Sequence, residues 1–157
     1  MVSAVVNDSW HEHVEEALFI AEPREAYNSK NELRTYRDLR AWKAAMDLAE
    51  LAYRVTGEFP ANEKYGLASQ IKSAAVSVPS NIAEGWGRDS SGDFDRFLGI
   101  ASGSLRELET QLLLTLRFGY GDSSLIMKAL DACDSLGGQL YLLKKSVQKR
   151  RTTQKRS

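Results

Sequence analysis

Apolar residues recur at steps of three and four along four separate stretches of this chain, and that repetition leaves few folds open. Such steps keep side chains on one face of a helix, whereas a half-buried strand alternates at every second residue. The first stretch carries Leu39, Trp42, Met46, Ala49 and Tyr53, with Leu48, Leu51, Ala52 and Val55 widening the apolar surface beyond one seam. The second carries Leu67, Ile71, Ala74, Val78 and Ile82. The third carries Phe94, Phe97, Ala101, Leu105, Leu108, Leu112 and Thr115, with Leu98, Ile100, Leu113, Leu114 and Leu116 beside them. The fourth carries Ile126, Ala129, Cys133, Leu136, Leu140, Leu143 and Val147. No segment shows a strand's period of two. Four long amphipathic helices with short connections predict an all-α fold: an antiparallel up-and-down four-helix bundle.

Start and stop signals set the expected boundaries. Asp38 is the expected N-cap of the first helix, Gly57 its C-terminal glycine and Pro60 a stop. The second helix is expected from Asn62, the third from Asp89–Ser91 to Phe118 with Gly119 closing it, and the fourth from Asp122–Ser123 to Gln148. Pro79 falls inside the second helix. It removes one backbone donor and crowds the carbonyl of Ala75, so a kink is expected there, with Ser77 and Ser80 offering local hydrogen bonds. Gly85 and Gly87 are expected to end that helix.

The chain has 157 residues and is 43% hydrophobic, enough for one domain with its own core. Its formal charge is zero, but the charge is unevenly spread. Residues 1–33 form an acidic N-terminal extension of net charge −5, residues 34–148 the bundle, and residues 149–157 a basic C-terminal tail. Counted from Lys144, the last fourteen residues hold seven bases and no acid. Within the extension, Asp8–Ser9 precede a short amphipathic stretch, Trp10 to Ala21. It is expected either to dock, which would cover Trp10, Leu18 and Phe19, or to order on binding a partner. The single cysteine excludes an internal disulfide and fits a reducing compartment. With no basic leader ahead of an apolar core and no run long enough to span a bilayer, a cytoplasmic, non-membrane protein is expected. The first, third and fourth helices carry more apolar circumference than a lone bundle needs, which points to a second buried face and a homo-oligomer; the alternative is that the N-terminal extension covers this surface.

Several segments carry a family likeness. YRDLRAWKAAMDLAELAY at 36–53, FPANEKYGLASQI at 59–71, SVPSNIAEGWGR at 77–88 and FLGIASGSLRELETQL at 97–112 resemble, in order, the four-helix bundle family of 23S rRNA intervening-sequence proteins. The resemblance implies a small antiparallel four-helix bundle and relatives that assemble as homopentamers. It also implies kinship with the accessory variability determinant of diversity-generating retroelements, which partners a reverse transcriptase and binds nucleic acid. It supplies no catalytic residues. This chain departs from the pattern at Ser73, where the family usually has arginine, and in its slightly acidic body.

An enzyme is not expected. The two histidines, His11 and His13, lie in the extension, so the bundle has no histidine base and lacks the Glu-x-x-His pairs of a di-iron bundle. Neither a metal site at His11-Glu12-His13 nor any other cofactor is expected, and Cys133 reads as a small core residue. Glu84 and Glu107 could be read as paired acid and base carboxylates. The structural reading is preferred: Pro79, Asn81, Glu84, Gly85, Gly103, Ser104, Glu107 and Gln111 form a joint whose polar groups satisfy backbone exposed near Pro79 and whose glycines let helices approach closely. The candidate nucleic-acid contacts are Lys144, Lys145, Lys149, Arg150, Arg151, Lys155 and Arg156. Seven cations can neutralise phosphates, multiplied in an oligomer, and without aromatic residues among them any contact with RNA or DNA is expected to be sequence-independent. The bland alternative is a solvated terminus whose cations complement the helix dipole. The function expected is therefore a non-enzymatic accessory or scaffold protein, pentameric, partnered by nucleic acid or a reverse-transcriptase-like enzyme. The alternative is a purely protein–protein module, with acidic extension and basic tail pairing between subunits.

Overall fold

The computed structural model describes residues 33–154. Four helices dominate it: α1 (Arg40–Thr56), α2 (Leu67–Trp86), α3 (Ser91–Phe118) and α4 (Ser123–Gln154). Single 3-10 turns precede α1 (Tyr36–Asp38) and α2 (Ala61–Glu63), and no strand occurs among the described residues. α1 and α3 each pack against both α2 and α4, which closes a bundle around one core. Between α2 and α3, Gly85 lies against Phe97 and Ser77 against Ser104. Between α3 and α4, Asp95 meets Gln148 while Arg106 lies over Gly137. In each pair position falls along one helix as it rises along the next. The segment Trp10 to Ala21 lies outside the described residues.

Capping follows residue chemistry, with two shifts from the expected starts. Asp38 does not cap α1. Its carboxylate accepts the backbone N–H groups of Arg34 and Thr35 at 2.9 and 3.0 Å, which fixes the preceding turn, and α1 begins one residue after Leu39. α2 begins at Leu67 rather than Asn62, because Gly66 interrupts the chain and the Glu63 carboxylate accepts the Leu67 N–H at 3.1 Å. Ser90 caps α3 by accepting the Asp93 N–H, and Asp122 accepts from Ser124 at the start of α4. α3 closes on Gly119, whose φ of 69° a residue with a β-carbon rarely adopts. α4 continues to Gln154, past the expected end at Gln148: Lys, Arg and Gln are good helix formers, and cations suit a helix C-terminus.

The core seam of α4 is as expected, with every residue from Ile126 to Val147 in that series buried. α1 departs from expectation. Its core face is Ala41, Ala45, Leu48, Ala52 and Val55, while Met46 and Tyr53 of the other seam are 45% and 49% exposed. Both stripes have helical spacing, so spacing alone does not choose between them. The bundle buries the alanine-rich one, which lets α1 sit close to its neighbours.

α2 is continuous through Pro79, which is buried. The nearby side chains do not reach the Ala75 carbonyl that lacks a donor. Ser80 Oγ donates to Val76 O at 2.7 Å, and Asn81 Nδ2 donates to Ser77 O at 2.8 Å. Gly85 does not end the helix either. It lies buried within α2, and Gly87 is the C-cap.

Candidate functional site

The motif residues gather where α2 faces α3. Asn81 Nδ2 also reaches Ser77 Oγ at 3.0 Å, and that hydroxyl meets Ser104 Oγ at 2.9 Å, so a three-residue polar bridge joins the helices. One helical turn further on, Gly85 allows Phe94 and Phe97 to pack against the α2 backbone, and the Trp86 and Phe94 rings meet edge-on at 6.0 Å. Gly103 makes no such close approach. It is exposed, and a β-carbon there would meet nothing within 4 Å.

The two carboxylates of the motif do not form an acid–base pair. Glu84 is exposed and ion-paired with Arg88, one turn along the same helix. Glu107 is exposed and accepts from Gln111 Nε2 at 3.2 Å. Neither satisfies backbone near Pro79, so the joint consists of Ser77, Asn81, Ser104 and Gly85. Gln111 is buried with its Oε1 unpaired in the structure. Cys133 is fully buried, and burial together with the nearby Glu109 charge pushes its thiol up to about 12, so it stays protonated and unreactive. Among the described residues no three His, Cys, Asp or Glu side chains gather to hold a metal, and His11, Glu12 and His13 lie outside them.

The basic residues divide by environment. Lys144 is held by Asp95 at the start of α3: its Nζ lies 3.5 Å from the carboxylate and donates to the Asp95 carbonyl at 3.3 Å, and Gln148 bonds the same carboxylate at 2.9 Å. It packs over Gly99, where a β-carbon would stand 3.0 Å from Nζ. Lys144 is thus a structural tie between α3 and α4, a role that composition could not reveal. Lys145 is exposed, with its ammonium 4.7 Å from the centre of the Tyr141 ring, and Lys149 is exposed one turn on. Arg150 and Arg151 lie on the last turns of α4; Lys155 and Arg156 lie outside the described residues.

A further surface is apolar. Met46 and Tyr53 stand exposed along α1, flanked by Trp42 and Ala49, which are half-buried and pack against the edge of the core. Trp42 meets the Tyr36 ring edge-on at 5.3 Å, and Lys72 of α2 lies 5.2 Å from the Tyr53 ring centre, beside exposed Val76. Among the described residues no helix is long and apolar enough to cross a membrane.

A family model described as 23S rRNA-intervening sequence protein matches residues 37–142, which takes in α1, α2, α3 and most of α4. No curated protein matches the chain.

Proposed function

Because the chain belongs to the 23S rRNA-intervening sequence protein family, we propose that it is a non-enzymatic, self-associating accessory protein of the cytoplasm that offers a basic helix end to nucleic acid or to a nucleic-acid enzyme. The observation that carries the reading is the α1 stripe. A chain that keeps Met46 and Tyr53 half-exposed at helical spacing, with its core already filled by the neighbouring stripe, has a face suited to a second copy. A homopentamer is the proposed assembly. It would repeat the cationic end of α4 around a ring, so that modest single contacts add up to useful affinity.

The nucleic-acid part rests on the exposed Lys145 and Lys149 and on Arg150 and Arg151 of the last turns of α4; Lys144 serves as the tie to Asp95. Binding of a duplex RNA of arbitrary sequence to the full chain tests it, compared with a variant carrying Gln at those four positions. The expected affinity falls steeply with salt, and the variant loses most of that slope, about 0.9 per phosphate contact removed. Equal binding by both proteins would refute the role of this helix end. The capture of Lys144 favours a second reading, a protein–protein module without nucleic acid; it is the outcome if neither protein binds RNA at low salt.

A further inference from the structure

The chain enters the bundle at Leu33 on the same side as the basic end of α4. The connection into α4 lies against the C-terminal end of α1: a β-carbon on Gly121 would stand 3.3 Å from the Val55 carbonyl, and Tyr120 and Phe59 meet at 5.7 Å. α1 therefore starts at the far end of the bundle, about 25 Å away for its seventeen residues. That is also where α2 ends against the start of α3 and where Asp95 holds Lys144 and Gln148. Leu33, the first described residue, is buried in the core ahead of α1. Beyond Val147, also buried, α4 runs on to Gln154, about 10 Å further.

This end of α4 carries an exposed face. Gly138, Tyr141, Leu142, Lys145 and Lys149 follow one another at helical spacing and are all exposed, Tyr141 by 57% and Leu142 by 37%. The face is therefore apolar toward the middle of α4 and cationic toward its end. The thirty-two residues that precede Leu33 have the complementary character: Glu12, Glu15, Glu16 and Glu22 interleave with Trp10, Val14, Leu18 and Phe19.

We infer that residues 1–32 dock on this face of α4 in their own chain, with apolar side chains against Tyr141 and Leu142 and glutamates against Lys145 and Lys149. Tethering at Leu33 on the same side gives the segment a local concentration in the millimolar range, well above that of any free polyanion. The docked segment covers the cations that RNA would contact, so it sets a threshold for binding. That consequence rests on the function proposed above; the docking does not.

Zero-length carbodiimide cross-linking of the full chain tests the docking. Equal amounts of ordinary and nitrogen-15-labelled chain are co-assembled, cross-linked, and read by mass spectrometry. The expected products join Glu12, Glu15, Glu16 or Glu22 to Lys145 or Lys149 within chains of one isotope, and they disappear when salt is raised to about 1 M. Absence of these products at low salt overturns the inference. Mixed-isotope products in about half of the links also overturn it, since they place the segment on a neighbouring copy. A full-length variant with Gln at the four glutamates is then compared with the parent for duplex RNA binding. At least three-fold tighter binding by the variant supports the masking. If the cross-links form and neither protein binds RNA, the docking stands and the nucleic-acid reading falls. If RNA binds and no cross-links form, the docking falls and the nucleic-acid reading stands.

Discussion

Gly85 lies so close to Phe97 that a β-carbon placed on the glycine would stand 2.6 Å from Phe97 Cβ. Phe94 Cδ2 would be 2.9 Å away on the same side. Neither neighbour is the loose end of a flexible side chain, so the fit between α2 and α3 depends on this residue having no side chain.

Gly85→Ala is therefore expected to destabilise the bundle. Helix propensity alone would favour alanine by about 1 kcal/mol, but overpacking a filled core costs about 1–3 kcal/mol. Thermal unfolding should show a lower midpoint than the parent. A variant as stable as the parent would contradict the close approach.

The polar joint separates from the charged pair beside it. Asn81→Ala removes both hydrogen bonds to Ser77 and should cost about 1–2 kcal/mol in urea unfolding. Glu84→Gln breaks only an exposed i,i+4 pair with Arg88 and should cost about 0.5 kcal/mol or less. Equal losses from the two changes would put Glu84 back into the joint.

Cys133 gives the bundle a pH dependence at the alkaline end. In the folded chain the thiol titrates near 12, against 9.0 for an ordinary one. Its contribution is fully present below pH 9. Between pH 9 and 12 the unfolded chain releases this proton while the folded chain keeps it, so stability falls as pH rises, by up to about 1.4 kcal/mol per pH unit. The difference in stability between parent and Cys133→Ala should narrow across that window, and a thiol reagent at pH 8 should label the parent only after unfolding. Rapid labelling of the native protein would contradict the burial.

Much of this was legible in the sequence because helical spacing repeats over many turns. The four helices, their order and the whole core seam of α4 follow from residue spacing, as do the Ser90 and Gly119 ends of α3. The face of α1 was not legible. Its two apolar stripes are offset by one residue, and only packing against α2 and α4 decides which one is covered. The motif residues were legible as a group but not in role. Glu84 looks like part of a buried network until Arg88, one turn on, is seen to take it to the surface. Lys144 looks like its basic neighbours, and its tie to Asp95 depends on a register between α3 and α4 that one-dimensional spacing does not contain.

The exposed α1 stripe gives a prediction separable from folding. Met46→Glu together with Tyr53→Glu changes side chains already half in water, so helical content should match the parent by circular dichroism. The same pair should abolish self-association, read as a drop in mass by light scattering. A doubly substituted protein that keeps the parent's mass would show that the contact lies elsewhere.

If the bundle is one subunit of a larger assembly, as proposed, sedimentation equilibrium of the full chain at micromolar concentration will reveal it. One chain weighs 17.5 kDa. The expected result is a species of five chains that persists on dilution through the micromolar range, whereas a single species at the mass of one chain would overturn the proposed assembly.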